Sequence, residues 1–236
     1  MKFLNLIPVV GLPTADEITA FMKTVLNEGN ELETAMTKHG TASIEGEYDE
    51  AIAAPAVLEE CLAAKDCSGV FVNCFGDPGV RAAREVLDVP VVGGFEPAVL
   101  LALGLADRIG VVTVLKNVIP LIKGNIAKAH LSERITSVRV VNIPVLELSD
   151  FERLLNEIYQ ESKKAIEIDG VEAIILGCTG MAGVADTIKE RLLEDGYDVP
   201  VIDPTLAAVK LLEVYGQLGL KPSKITYMPI RDKERG

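Results

Sequence analysis

The stretch Val70-Phe-Val-Asn-Cys-Phe-Gly-Asp-Pro-Gly79 decides the fold, because a near-copy of it returns as Ala173-Ile-Ile-Leu-Gly-Cys-Thr-Gly-Met181. In both stretches a short apolar run ends at a cysteine, and small residues and then a helical pattern follow. An apolar run of this length is typical of a buried strand in a parallel sheet. The two cysteines are therefore predicted at the carboxyl ends of strands, where open α/β sheets bind their ligands.

The sequence around the two cysteines repeats as well. The spacing from Pro8 to Cys74 differs by only one residue from the spacing between Thr113 and Cys178. A Val-Pro-Val motif follows later in both halves, and both halves show the element order β-α-β-α-β-α-β-α. The repeat predicts an α/β fold of two pseudo-symmetric lobes, each a four-stranded parallel sheet flanked by helices, with the active site between them. The first predicted lobe comprises residues 1–97 and 206–236, and the second comprises residues 98–205.

The composition fits this architecture and excludes several classes of protein. Of the 236 residues 49% are hydrophobic and only 5% aromatic, so the core is expected to consist of Ala, Val, Leu and Ile. No apolar run approaches the ~20 residues that span a bilayer, and no signal peptide is recognised, which predicts a cytoplasmic protein without a membrane partner. The net charge is -12 and the basic residues do not cluster, which argues against a nucleic-acid partner.

The remaining cysteines and the histidines carry no metal-binding pattern. No Cys-x-x-Cys pair is present, and His39 and His130 stand in unrelated contexts, so we expect no metal. A disulfide framework is not expected in a reducing cytosol. Cys61 falls in a helical pattern and Cys67 in the loop after it, where packing or a surface thiol explains both.

Several local features of the sequence predict structure that can be checked. Thr14 with Glu17 and Ser149 with Glu152 are predicted capping boxes. Asp77 is predicted as an N-cap, with Pro78 as the first helical residue. The segment from Pro222 is rich in Lys and Arg and is predicted as a loosely packed tail. The glycine-flanked loop 40–46 is long for a plain connection, and long loops in compact α/β proteins are often functional.

Two thiols facing each other across a cleft suit one reaction well. One, as a thiolate, removes a proton from a stereocentre, and the other, as a thiol, delivers a proton to the opposite face. A thiol pKa of ~8.5, lowered by a helix N-terminus, would fall close to the working pH. Backbone N–H groups after each cysteine can stabilise the developing enolate, and no cofactor is needed if the carbon is adequately acidic. The alternative for Cys74 and Cys178 is that they are buried strand-end cysteines that only pack.

Further residues are candidate contacts to a small-molecule substrate because they flank the cysteines, end the equivalent strands or belong to the long loop. Thr179 and Gly180 are expected to offer backbone N–H groups, whereas Asn73 could equally cap a backbone group. The predicted contacts are Pro8, Ser43, Ile44, Asn73, Phe75, Gly76, Thr113, Thr179 and Gly180.

Five segments resemble the aspartate/glutamate/hydantoin racemase superfamily, and the hydantoin racemase branch in particular. The resemblance extends over nearly the whole chain. It implies that Cys74 and Cys178 are the acid and base thiols of a racemase and that the protein is a homo-oligomer. The segments are GTASIEGEYDEAIAAP (40–55), FGDPGVRAAR (75–84), PVVG (90–93), PVLEL (144–148) and DGVEAIILGCTGM (169–181).

Two departures from the family pattern concern the substrate rather than the chemistry. The family's first strand commonly ends in Asn-Pro-Asn, where this chain has Ile7-Pro8-Val9. The second motif usually has Ala after the cysteine, where this chain has Thr179.

The sequence thus predicts a cofactor-independent racemase that acts on a 5-substituted hydantoin, with allantoin as the next choice. A racemase of free Asp or Glu is less expected, because no Arg or Lys motif is available for an α-carboxylate. A decarboxylase or a cis-trans isomerase on the same scaffold is the other enzymatic alternative. A two-lobed small-molecule binding module is the alternative without catalysis.

Overall fold

Two parallel four-stranded sheets form the centre of the protein. The structure, a computed structural model, describes residues 1–64 and 66–233. The first sheet has the order β2-β1-β3-β4 and contains β1 (Lys2–Ile7), β2 (Glu31–Met36), β3 (Gly69–Val72) and β4 (Val91–Val92). The second has the order β6-β5-β7-β8 and contains β5 (Ile109–Thr113), β6 (Ile135–Val140), β7 (Ala173–Leu176) and β8 (Val201–Ile202). The identical strand orders confirm the predicted fold of two pseudo-symmetric α/β lobes.

Eight α-helices lie among the described residues and flank the sheets. The first four are α1 (Ala15–Lys23), α2 (Glu47–Ala63), α3 (Val80–Val86) and α4 (Phe95–Leu103). The other four are α5 (Ile119–Lys128), α6 (Phe151–Asp169), α7 (Ala185–Glu194) and α8 (Pro204–Gln217). Short 3-10 turns lie at Lys116–Val118, Val145–Glu147 and Thr179–Met181.

The register of the central strands defines which residues are equivalent in the two lobes. Leu6 of β1 pairs with Val72 of β3, and Val112 of β5 pairs with Leu176 of β7. Val72 and Leu176 each lie two residues before a cysteine, and all four residues of β3 and of β7 are buried. The two cysteines therefore follow equivalent buried strands, as predicted, at the carboxyl edge of each sheet.

The chain returns to the first sheet at its end, since α8 packs against β3 and against α4. The boundaries at 97/98 and 205/206 stay a prediction. Residues 234–236 of the predicted first lobe lie outside the described residues.

Three local predictions are wrong in detail. Thr14 occupies the N-cap of α1, but its side chain makes no cap hydrogen bond. The carboxylate of Asp150, rather than Ser149, caps α6 by accepting from the Arg153 N–H at 3.3 Å. Helix α3 begins only at Val80, after Gly79, because the carboxylate of Asp77 is bound to a different helix.

The segment after Pro222 is more firmly held than predicted. The Lys224 ammonium donates to the carbonyl oxygens of Arg84 and Leu87, at 3.2 and 2.8 Å. The Tyr227 hydroxyl accepts from the Arg84 guanidinium at 3.0 Å, and its ring lies 5.5 Å from the guanidinium carbon. This segment therefore packs against the end of α3.

All four cysteines are free thiols. Cys61 is fully buried in α2, and burial raises the pKa of its thiol to about 12. Among residues 1–64 and 66–233, no group of three or more His, Cys, Asp or Glu side chains could hold a metal ion. Within the same part of the chain, no helix combines the length and the apolar character needed to cross a membrane.

Candidate active site

A cavity of about 900 Å³ lies between the two lobes, and both Cys74 and Cys178 line it. The first lobe contributes the segment after β1, the loop 42–44 and residues 73–76 after β3. The second lobe contributes residues after β5, the start of α5, the segment 145–151 and residues 177–183 after β7. The carboxyl ends of the central strands of both sheets therefore meet at one cleft.

The two thiols have matching local surroundings. The Cys74 Sγ accepts a hydrogen bond from the Gly76 N–H at 3.4 Å. The backbone N–H groups of Gly180 and Met181 are directed at the Cys178 thiol and favour its thiolate. In both lobes the N–H two residues after the cysteine is thus available to stabilise a negative charge on sulfur.

The predicted lowering of the thiol pKa values is wrong. Withdrawal from water raises the pKa of Cys178 to about 11 and raises the pKa of Cys74 as well. The backbone N–H groups oppose this effect, whereas the charges of Cys178, Asp77 and Glu50 raise the pKa of Cys74 further. The reason is structural: α3 begins only at residue 80, and a 3-10 turn follows Cys178, so neither thiol lies at the N-terminus of an α-helix.

The structure brings most of the predicted contact residues to the cleft. Ser43 and Thr113 are not among the lining residues, and Ala42 lies at the cleft in place of Ser43. The predicted residues that do line it are Pro8, Ile44, Asn73, Phe75, Gly76, Thr179 and Gly180.

Thr113 has a structural role in the second sheet. Its side chain is fully buried, and its hydroxyl donates to the Gly177 carbonyl oxygen at 2.9 Å. The strand register makes Val114, not Thr113, the counterpart of Pro8, and Val114 lines the cleft. A shift of one residue along a strand moves a side chain to the other face of the sheet, which explains why the predicted position was wrong.

Asn73 and Phe75 are also held by protein contacts. The Asn73 amide donates to Asn5 Oδ1 at 3.0 Å, so it is committed to a buried polar pair. The Phe75 ring packs edge-on against Phe95, with ring centroids 5.6 Å apart. Both residues line the cleft while fixing the loop that carries Cys74.

The sequence analysis missed most of the apolar lining. The pseudo-repeat could have predicted part of this lining, because the segment after β6 is the counterpart of the loop 40–46 after β2. The Glu45 carboxylate links these two segments by accepting from the Val145 N–H at 2.8 Å. The missed apolar residues include Val10, Leu12, Phe21, Leu121, Ile122, Val145, Leu146, Leu148 and Phe151.

The described lining contains no Lys or Arg, and Glu17 is its one carboxylate. Such a cleft favours a neutral molecule with apolar groups over an anion. Two thiols in such a cleft can exchange protons with a weakly acidic carbon.

The paired α/β lobes, with one thiol from each at a shared cleft, define a two-lobed α/β protein with a small-molecule site between its lobes. The sequence profile described as Asp/Glu/Hydantoin racemase matches residues 8–212, and the chain belongs to this family. The protein is therefore a racemase, an enzyme of the isomerase class.

Individual relatives agree with the family assignment. A hydantoin racemase from Pseudomonas sp. (strain NS671) is 37% identical over 238 residues, covering 99% of this chain and 94% of the relative. The structure of an allantoin racemase from Klebsiella pneumoniae is 33% identical, with a TM-score of 0.92 over 100% of this chain and 96% of that one. An allantoin racemase from Pseudomonas fluorescens is 33% identical, with a TM-score of 0.94 over 100% and 99% of the two chains.

Proposed function

We propose that this protein racemises 5-substituted hydantoins, of which allantoin is one, and that Cys74 and Cys178 are its two proton-transfer groups. The observation that carries the proposal is that the two thiols line one cleft from opposite lobes, each with a backbone N–H two residues further on. That arrangement is what proton transfer on the two faces of one carbon requires.

In the proposed reaction, the thiolate of one cysteine takes the proton from C5 of the ring. The electron pair of the C5–H bond moves into the adjacent carbonyl group and forms an enolate. The thiol of the other cysteine then gives its proton to the opposite face of C5, which regenerates the carbonyl and leaves a thiolate on that cysteine. The roles reverse for the other enantiomer, and no electron is gained or lost overall.

Burial raises the pKa of both thiols, and the backbone N–H two residues after each cysteine favours its thiolate. The backbone N–H groups of Thr179 and Gly180 are the proposed donors to the enolate oxygen.

A neutral ring suits the cleft better than a free amino acid. An α-carboxylate would need a cationic partner, and none is present among the described lining residues. The C5 proton of a hydantoin is also more acidic than the α-proton of an amino acid, so a thiolate is an adequate base. Together with the hydantoin and allantoin racemases among its relatives, this supports a hydantoin substrate over Asp or Glu.

Decarboxylation or cis-trans isomerisation on the same scaffold is the competing chemistry. Such reactions can run with one cysteine, whereas the proposed racemisation needs both. We further propose a homo-oligomer in the cytoplasm, which light scattering of the purified protein and cell fractionation test.

Proton NMR in D₂O tests the proposed substrate class. The C5–H signal is followed for 5-benzylhydantoin, 5-isobutylhydantoin and allantoin, with L-Asp and L-Glu as controls and an enzyme-free sample for spontaneous exchange. We expect catalysed loss of the signal for at least one hydantoin, and racemisation abolished in both Cys74→Ser and Cys178→Ser. Absence of catalysed exchange on every hydantoin, or full racemisation by either variant, would contradict the proposal.

A further inference from the structure

Two aspartates that take no part in the proposed proton transfer bind the loops that carry the cysteines. In the first lobe, the Asp77 Oδ1 accepts from the Phe95 N–H at 3.0 Å, at the first residue of α4. The Asp77 N–H donates to the Cys74 carbonyl oxygen at 3.3 Å, and the Gly94 N–H donates to the same oxygen at 3.0 Å. The side chain and backbone of Asp77 thus connect Cys74 to the beginning of α4.

The surrounding loop is built closely around this carboxylate. A Cβ on Gly93 would lie 2.0 Å from Asp77 Oδ1, and a Cβ on Gly94 would lie 3.1 Å from the Cys74 carbonyl oxygen. Asp77 itself adopts a φ of 58°, in the left-handed region that Asp and Asn tolerate better than other side chains. The close fit leaves the Cys74 loop little freedom to move while the Asp77 contact is intact.

The second lobe makes the equivalent connection in the reverse direction. Asp203, which is buried, is the N-cap of α8 and accepts from the Thr205 N–H at 2.8 Å through Oδ1. Its Oδ2 accepts from the Gly183 N–H at 2.9 Å. Gly183 lies just after the 3-10 turn whose N–H groups face the Cys178 thiol. Here the helix supplies the carboxylate and the cysteine loop supplies the N–H.

We propose that Asp77 and Asp203 are positioning residues, each of which fixes one cysteine loop against the helix that follows the last strand of a sheet. The inference rests on the proposed function, because two thiols must stay on opposite faces of one carbon. A displacement of about 1 Å at either loop is sufficient to slow such a reaction by roughly 100-fold. Each aspartate acts on the cysteine of the loop that it binds and leaves the other cysteine in place.

Asp77 has an additional electrostatic effect with a definite sign. Its negative charge raises the pKa of Cys74, together with the charges of Cys178 and Glu50. Withdrawal from water raises the pKa of Asp77 itself to about 7. The hydrogen bond from the Phe95 N–H and the charge of Arg84 in α3 lower this pKa, whereas the charge of Glu96 in α4 raises it. Replacement of Asp77 by Asn keeps an acceptor oxygen for the Phe95 N–H and removes the charge, so the Cys74 thiol becomes more acidic.

Alkylation of the individual cysteines by iodoacetamide, followed by mass spectrometry of the cysteine peptides, tests the inference without any substrate. The variants are Asp77→Ala, Asp77→Asn, Asp203→Ala and Asp203→Asn. Glu213→Gln is the matched control, because the buried Glu213 carboxylate accepts from the Asn27 N–H at 2.7 Å and does not line the cleft. The fully buried Cys61 reports any general loosening of the fold.

We expect Asp77→Ala to change the alkylation rate of Cys74, and Asp203→Ala to change the alkylation rate of Cys178. Each change is expected to be about tenfold, which corresponds to a shift of one unit in the pKa of the thiol. In each variant the alkylation rate of the other cleft cysteine changes by less than about twofold, and Cys61 is not alkylated. In Asp77→Asn the Cys74 rate rises, and kcat remains well above that of Asp77→Ala. On the substrate found by NMR, both Ala variants lose about tenfold to 100-fold in kcat with little change in KM. Three results would overturn the inference. They are equal changes in the alkylation rates of Cys74 and Cys178, alkylation of Cys61, or unchanged alkylation rates together with an unchanged kcat. Because alkylation needs no substrate, its result is independent of whether hydantoins are turned over.

Discussion

The side-chain hydroxyl of Thr179 donates a hydrogen bond of 3.3 Å to the carbonyl oxygen of Asn73. Thr179 follows Cys178 directly and Asn73 precedes Cys74, so this bond joins the two cysteine loops across the lobes. The Asn125 amide in α5 makes a second connection between the lobes by donating to the Gly76 carbonyl oxygen in the Cys74 loop at 3.0 Å. The relative position of the two thiols therefore depends on direct hydrogen bonds between the lobes as well as on the two sheets.

Replacement of Thr179 by Ala removes the first of these connections. We expect the free energy of unfolding to fall by about 1 kcal/mol, which is typical for one intramolecular hydrogen bond, and kcat to fall as well. Urea denaturation and initial racemisation rates measure the two effects. Thr179→Ser keeps the hydroxyl and should retain most of both quantities. A Thr179→Ala variant with wild-type stability and kcat would show that the bond does not position the loops.

Thr113→Val separates a structural role of Thr113 from substrate binding. The variant loses the hydrogen bond to the Gly177 carbonyl oxygen in a fully buried place. We expect a loss of about 1 to 3 kcal/mol in the free energy of unfolding, with KM unchanged. A large rise in KM without loss of stability would restore Thr113 as a substrate contact.

The raised thiol pKa values predict how activity depends on pH. In the proposed mechanism one cleft cysteine must be a thiolate before turnover, and burial raises the pKa of Cys178 to about 11. Below that value the thiolate fraction rises about tenfold for each pH unit, so kcat/KM should increase from pH 7 to pH 9. A hydantoin methylated on N3 serves as the control, because its ring cannot lose the imide proton. A rate that is flat over this range would mean that the thiolate is already formed at neutral pH.

The apolar lining predicts a preference among hydantoins. Leu12 and Ile44 of the first lobe and Leu146 and Phe151 of the second all line the cleft. We expect kcat/KM for 5-benzylhydantoin to exceed that for allantoin by about tenfold or more, because one apolar group in such a pocket is worth roughly 1 to 3 kcal/mol. Initial rates on both substrates measure the ratio, and Phe151→Ala should reduce it. A preference for the polar ureido group of allantoin would contradict this prediction.

The fold was predictable because the same pattern of strand, cysteine and helix occurs twice in the sequence. Two buried apolar strands, each followed two residues later by a cysteine, were enough to place Cys74 and Cys178 at one cleft. The α/β class and the two sheets followed from this repeat. Seven of the nine predicted contact residues line the cleft.

The errors arose where tertiary contacts override local patterns. Asp77 looks like a helix cap in the sequence, but its carboxylate binds the N–H of Phe95, which lies far along the chain. The repeat was aligned one residue out of register, which put Thr113 in the position of Val114. The thiol pKa values depend on how far the folded cleft excludes water, and no local sequence pattern contains that information.

The most direct test of the central claim uses each single cysteine variant with each pure enantiomer in D₂O. In the proposed mechanism a variant with one cleft thiol cannot racemise, but its remaining thiol can still exchange the C5 proton of the enantiomer that it faces. The account predicts that Cys74→Ser exchanges one enantiomer and Cys178→Ser exchanges the other, both above the rate without enzyme and without inversion. Exchange of the same enantiomer by both variants, or continued racemisation by either, would contradict a mechanism in which Cys74 and Cys178 work on opposite faces of the substrate.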